Sequence, residues 1–268
     1  MRKTLGRLKR GLQGVRHTLT EKAPSPNHLP YKIIGKSLEG RDIIAYTLGD
    51  GPRQLILVSA IHGNEVGTIK LAHFLLNWLE KNPQPSFTIH IIPCLNPDGY
   101  HQAQQDPDFW NDGRIGRLNA RNVDLNRNFP TKSFKQDSNW THGKDYQELT
   151  AVYCGESGGS EPEIQALTHY ILDHKISTYF GLHSAGRDVM GNNQAPAQDL
   201  AHIFSESTGY RFSTPDEWTT LGQTGTTKEW CEEHEIAYLE IEASSRWGAD
   251  WAQQKPGILA CLTFLAKA

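Results

Sequence analysis

His62-Gly63-Asn64-Glu65 sets an imidazole and a carboxylate three residues apart, where a buried strand gives way to a helix. Gln54 to Ile61 is an apolar run that reads as a strand covered on both faces, and Val66, Ile69, Ala72, Leu76 and Leu79 recur at the period of a helix over Asn64 to Lys81. Two side chains fixed at such a turn can hold one metal ion. Hydrolytic zinc sites keep three protein ligands, two His and one Glu among the attested sets, and leave a fourth position for water. A third ligand has to come from elsewhere. His183 ends the apolar run Phe180-Gly181-Leu182, 118 residues after Glu65. Strand carboxyl ends in an open α/β sheet converge on one crevice, so His183 can reach the first pair. Two more carboxylates, Glu240 and Glu242, lie on the strand-like segment Ile236 to Glu242. Alternation puts both on one face, and periodicity does not choose between them.

The elements that must position these groups alternate. Strands are expected at Tyr31 to Ile34, Asp42 to Leu48, Leu55 to Ile61, Thr88 to Pro93, Ser177 to His183 and Ile236 to Glu242. Helices are expected at Asn64 to Lys81, Glu161 to Asp173, Ala197 to Ser207, Thr227 to His234 and Lys255 to Leu265. The expectation is an α/β fold, a single domain with a mixed central β-sheet flanked by helices, covering residues 31–268. Residues 1–30 form a basic segment and a Pro-rich linker around Pro24 and Pro26. Asn96 to Ser160 shows little periodicity, and a stretch of that length inside a compact domain is commonly functional.

Composition narrows the class. A net charge of −3 and a sequence pI near 6.5 argue against a nucleic-acid binder. The first twenty residues nevertheless hold six basic and no acidic side chains, leaving −9 on the rest. Leu5, Leu8, Leu12 and Val15 stripe that segment as an amphipathic helix, which could lie on the protein's own surface or make a weak contact with anionic lipid or an acidic partner. Cys94, Cys154, Cys231 and Cys261 are scattered without a C-x-x-C pair and read as reduced thiols. No apolar run is long enough to span a bilayer and the first residues lack a secretory apolar core, so a cytoplasmic protein is expected.

The ordered set His62-x-x-Glu65, Asn96-Pro97-Asp98-Gly99, Val123-Asp124-Leu125-Asn126-Arg127-Asn128-Phe129-Pro130, Ser160-Glu161-Pro162-Glu163 and His183-Ser184 resembles the zinc carboxypeptidases of the carboxypeptidase A type, from about Ile34 to the C-terminus. The resemblance implies one zinc per chain held by His62, Glu65 and His183. It implies that Asn126 and Arg127 bind the free carboxylate of a short peptide, a task suited to arginine's planar fork. Arg117 resembles the oxyanion arginine, preferred over Arg114 and Arg121 because related bacterial enzymes run R-x-N-A-x-x-V-D-L-N-R-N-F-P. Asp124 resembles the carboxylate that orients the first zinc histidine. The family's general base follows a tryptophan by about twelve residues; counted from Trp230, that is Glu242, with Glu240 an added carboxylate where relatives often carry Thr. The digestive members' mobile-loop tyrosine has no counterpart in Leu221 to Thr227. Within the family the chain looks most like the bacterial murein peptide amidases, which split the γ-D-glutamyl–diaminopimelate bond.

Two other chemistries compete. Aspartoacylase and succinylglutamate desuccinylase relatives, which deacylate acylamino acids, share an H-G-N-E start and an Asp-Leu-Asn-Arg segment, but the Asn-Pro-Asp-Gly loop, the Asn-Phe-Pro and the Ser-Glu-Pro-Glu start resemble the peptidases more. Gly155-Glu156-Ser157-Gly158-Gly159 fits the G-x-S-x-G elbow of a serine hydrolase, with Leu149 to Cys154 as its strand and Asp216 and His234 as partners. Ser160 to Glu163 reads in its own right as a helix capping box.

Overall fold

The computed structural model describes residues 23, 25–105, 115–142, 148–219 and 222–267. The amphipathic helix read in the first twenty residues lies outside the described residues.

Eight strands form one sheet. In chain order they are β1 (Tyr31–Lys36), β2 (Asp42–Leu48), β3 (Arg53–Ser59), β4 (Phe87–Ile92), β7 (Thr178–Ser184), β8 (Asp188–Gly191), β9 (Arg211–Ser213) and β10 (Ala237–Ala243), while β5 (Asp137–His142) and β6 (Glu148–Tyr153) pair as a separate hairpin. The spatial order is β1-β2-β4-β3-β7-β10-β8-β9. β4, β3, β7 and β10 run parallel at the centre, and β2 and β8 join them antiparallel on either side. Every residue of β7 is buried, as a parallel strand covered on both faces requires.

Both faces carry helices. Leu71, Leu75 and Leu76 of α1 (Val66–Lys81), Leu200 and Phe204 of α4 (Ala197–Thr208) and Ile258 and Leu262 of α7 (Trp251–Leu265) bury one face together with Leu55, Leu57 and Phe180. Ile164, Leu167 and Ile171 of α3 (Pro162–Asp173), Trp230 of α6 (Thr227–Glu233) and the loop residues Leu125 and Phe129 bury the other with Ile56, Val58 and Tyr238. Among the described residues there are two further short helices, α2 (Pro97–Gln105) and α5 (Pro215–Thr219). The single-domain α/β fold with a mixed, helix-flanked sheet is therefore as expected.

Local differences have physical reasons. The aperiodic stretch contains α2 and the β5–β6 hairpin, whose exposed Leu149 and Tyr153 and outward polar residues give no alternation to read. β8 and β9, at four and three residues, are too short to show a period. Ser160 does not cap α3. The N-cap is Glu161, no side chain caps it, and the Ser160 hydroxyl donates to Glu161 Oε1 at 2.8 Å. The true capping box starts α6, where Thr226 and Glu229 exchange bonds.

Candidate active site

β3 ends at Ser59, and the chain turns over Ala60 at φ 49° to bring His62 and Glu65 to the carboxyl edge of the sheet. Thr68 locks the turn by donating its hydroxyl to the Glu65 carbonyl at 2.7 Å and accepting from the Ala60 amide at 3.2 Å. Gly63 permits the close fit. A Cβ there would lie 2.1 Å from the Tyr100 amide nitrogen, so the turn packs directly on the Asn96-Pro97-Asp98-Gly99 segment. That segment is anchored in turn, because buried Asp98 accepts from the Ser37 hydroxyl at 2.6 Å and from Arg41 at 2.7 Å.

His183 sits next to Ser184 at the end of β7, one strand from β3, and the structure brings it to the first pair. One ligand atom from each of His62, Glu65 and His183 lies within 4.8 Å of the other two. All three residues are buried. His62 Nδ1 is 2.9 Å from Glu65 Oε1, and His183 Nδ1 is 3.4 Å from Glu65 Oε2. Glu65 is the N-cap residue of α1 yet caps nothing, and its buried Oε2 has no hydrogen-bond partner. Two imidazole nitrogens and a carboxylate oxygen left unsatisfied between them suit a zinc ion. Burial alone would raise the Glu65 pKa, but the two imidazoles hold it well below the usual carboxylate range. Burial likewise disfavours a charged His183, yet Glu240, Glu65 and Glu242 together raise it to about 9.

Asp124 forms the second layer. Its Oδ1 lies 3.2 Å from His62 Nε2 and accepts from the Asn126 amide at 3.0 Å, while Oδ2 accepts from Arg117 Nε and Nη2 at 3.1 and 2.8 Å. Burial works to raise its pKa, but Arg117 and His62 outweigh it and keep the carboxylate well below its ordinary value. Arg117 also stacks over Trp140 of β5, 4.4 Å from the ring centroid. Of the other two arginines, Arg121 pairs with Glu161 at 3.2 Å, and Arg114 lies outside the described residues.

The turn after Asp124, Leu125–Arg127, presents Asn126 and Arg127. Asn126 Oδ1 accepts from the Thr227 amide and hydroxyl at 3.0 and 2.8 Å, which leaves its NH₂ as the free end. Arg127 donates through Nε and Nη1 to the carbonyls of Asn139 and Asn126.

These residues line one cavity of about 520 Å³, which also receives Glu240 and Glu242. Glu242 faces His183 directly across parallel β10 and β7, and Glu240 stands opposite Gly181 two positions earlier. Burial first, then the Glu65, Glu240 and Asp188 carboxylates, raise the Glu242 pKa to about 8 against the pull of His183. Sequence reasoning missed Trp140, Asn193, Lys228, Glu232 and Arg246 on the cavity wall. Trp140 lay in the hairpin that showed no period, and the others are ordinary polar residues of loops and helices until the fold gathers them. The G-x-S-x-G match is not an elbow: Ser157 is an exposed turn residue whose carbonyl accepts from Asn128.

The family model described as zinc carboxypeptidase matches residues 17–264. Carboxypeptidase Z of Rattus norvegicus is 39% identical over 114 residues, which make up 36% of this chain and only 18% of that protein. The crystal structure of murein-tripeptide amidase MpaA from Escherichia coli O157 has a TM-score of 0.66 at 22% identity, covering 92% of this chain and 94% of that one. Bovine thrombin-activatable fibrinolysis inhibitor, solved with a tick carboxypeptidase inhibitor, has a TM-score of 0.68 at 16% identity, covering 92% and 97%. With the family model spanning nearly the whole chain, this protein belongs to the zinc carboxypeptidase family.

Proposed function

We propose that the enzyme cleaves the amide bond that joins a terminal residue bearing a free carboxylate to a short peptide, and that its substrate is the γ-D-glutamyl–diaminopimelate bond of murein peptides. The observation that carries the reading is the placement of Asn126 and Arg127 in the same cavity as the His62–Glu65–His183 cluster and Glu242. One zinc ion held by that cluster would supply Lewis-acid polarisation and an activated water. The chain does the rest. Thr227 fixes the Asn126 amide so that its NH₂ and the Arg127 guanidinium offer two donors to one carboxylate. Arg117, held by Asp124, supplies positive charge where an oxyanion develops, and Asp124 sets the orientation of the His62 ring. Glu242, which faces His183 across β10 and β7, takes a proton from the attacking water and returns it to the leaving amine.

The likeness to the amidase from Escherichia coli O157 supports the murein substrate, and the same reading assigns the protein to the cytoplasmic recycling of cell-wall peptides. Among the described residues no helix is long and apolar enough to cross a membrane. The test is a product assay on murein tripeptide, on ordinary peptides with free and amidated C-termini and on acylamino acids, with zinc present and removed. Release of diaminopimelate from the tripeptide is expected, with amidated peptides resistant. Equal cleavage of free and amidated peptides would remove the carboxylate clamp, and preferential cleavage of acylamino acids would replace the reading.

A further inference from the structure

The cavity holds one carboxylate that the hydrolytic scheme does not use. Glu240 is 7% exposed. Its Oε2 accepts a 2.7 Å hydrogen bond from the Tyr238 hydroxyl. Gly181 opposite makes that bond possible, because a Cβ there would meet the Tyr238 hydroxyl oxygen at 2.6 Å. Among the described residues no cationic atom lies within ion-pairing distance of Glu240, and its Oε1 has no hydrogen bond.

The other acids of the cavity are committed. Glu229 serves the α6 capping box and accepts from Ser133 at 2.8 Å. Glu232 pairs with Lys228 at 3.2 Å and accepts from the Asn193 amide at 3.1 Å. Glu65 lies between the two imidazoles, and Asp216 is exposed. Among the described residues of the cavity, Glu240 is the deeply buried carboxylate that is positioned by a hydrogen bond yet makes no direct ion pair, although the charges of His183 and Arg127 are felt there. A buried carboxylate without a direct ion pair gains from a cation that reaches it at hydrogen-bond distance.

Its place gives the partner. Glu240 lines the same cavity as Arg127 and Asn126 and stands two residues behind Glu242 on the same face of β10. A terminal residue whose carboxylate is held by Asn126 and Arg127, with its amide nitrogen toward Glu242, has its side chain left to fill the remaining cavity. We propose that Glu240 is a specificity residue that binds a cationic group, a primary ammonium, at the far end of the side chain of the residue released by hydrolysis. This deepens the peptidase reading and rests on it. It accommodates the distal amine of diaminopimelate and extends equally to a terminal lysine.

The test separates the pocket from turnover. Binding of free lysine and free norleucine to the zinc-loaded enzyme is measured by calorimetry, since the two share the carboxylate and the chain length and differ in the ammonium group. Lysine is expected to bind at least about tenfold more tightly, and in Glu240→Gln, which keeps an acceptor for Tyr238, the two should differ by less than about threefold. Equal binding by the wild type overturns the proposal without any variant, and so does a tenfold preference retained in Glu240→Gln. Peptides ending in each residue are assayed alongside. Lysine-selective binding with no hydrolysis of any peptide would end the peptidase reading and leave the pocket assignment standing.

Discussion

At the scale of single residues, Glu240 and Glu242 are chemically identical neighbours on one wall that the fold gives different surroundings. Glu242 faces His183, whereas Glu240 is tied to a phenol and faces a glycine. Glu242→Gln is expected to keep its fold and its zinc and to lose roughly 10²- to 10⁴-fold in kcat, the usual worth of a general base. A dead Glu240→Gln beside an active Glu242→Gln would reverse the assignment. The two arginines should separate in kinetics as well: Arg127→Ala is expected chiefly to raise KM, because a carboxylate clamp acts in ground and transition states alike, and Arg117→Ala chiefly to lower kcat. Steady-state assays on one free-carboxylate peptide decide it, and matching KM and kcat effects in the two variants would remove the division of labour. The sequence named most of the residues that the fold gathers here. His62, Glu65, His183, Asp124, Asn126 and Arg127 were legible because each stands in a local motif, but alternation could not rank the two glutamates, and Trp140 could not be found before the hairpin placed it over Arg117.

At the scale of elements, the start of α3 is bound to the rest of the fold by acids rather than by a cap. Glu161 and Glu163 are buried; Glu161 receives Asn119 Nδ2 at 2.8 Å, and Glu163 lies 3.4 Å from the same nitrogen. Burial raises the Glu163 pKa to about 7, above the ordinary value of 4.5, so the folded state holds this proton more tightly than the unfolded chain. Its contribution is therefore complete below about pH 4.5 and is lost as pH rises through 7. Urea unfolding at pH 5 and pH 8 should show the wild type losing stability relative to Glu163→Gln, by something on the order of 1–3 kcal/mol. A difference between the two proteins that does not change with pH would show that Glu163 titrates normally. The Ser-x-x-Glu pattern at residues 160–163 misleads for the same reason, since its acids are drawn to Asn119 and Arg121 and away from the helix end. The functioning box at Thr226 should cost about 1 kcal/mol when Thr226 becomes Ala, read as a lower urea midpoint.

At the scale of the whole molecule, a cluster of buried charge converges from β3, β7 and β10, so the metal is expected to act as a tie between strands. Zinc that binds only the folded protein should stabilise it by about 2.7 kcal/mol at a hundredfold excess over Kd, and chelation should lower the melting temperature of the wild type but not of His183→Ala. Undiminished zinc in His183→Ala would sink the ligand set. The parallel pairing of β7 with β10 also makes the cavity a ruler. Glu240 and Glu242 are two residues apart on one face, which sets them about 6–7 Å apart along the strand. A released residue whose amine must reach from one to the other is then selected by length as well as charge. Terminal lysine should outperform ornithine, and ornithine should outperform 2,4-diaminobutyrate, although all three carry the same ammonium group.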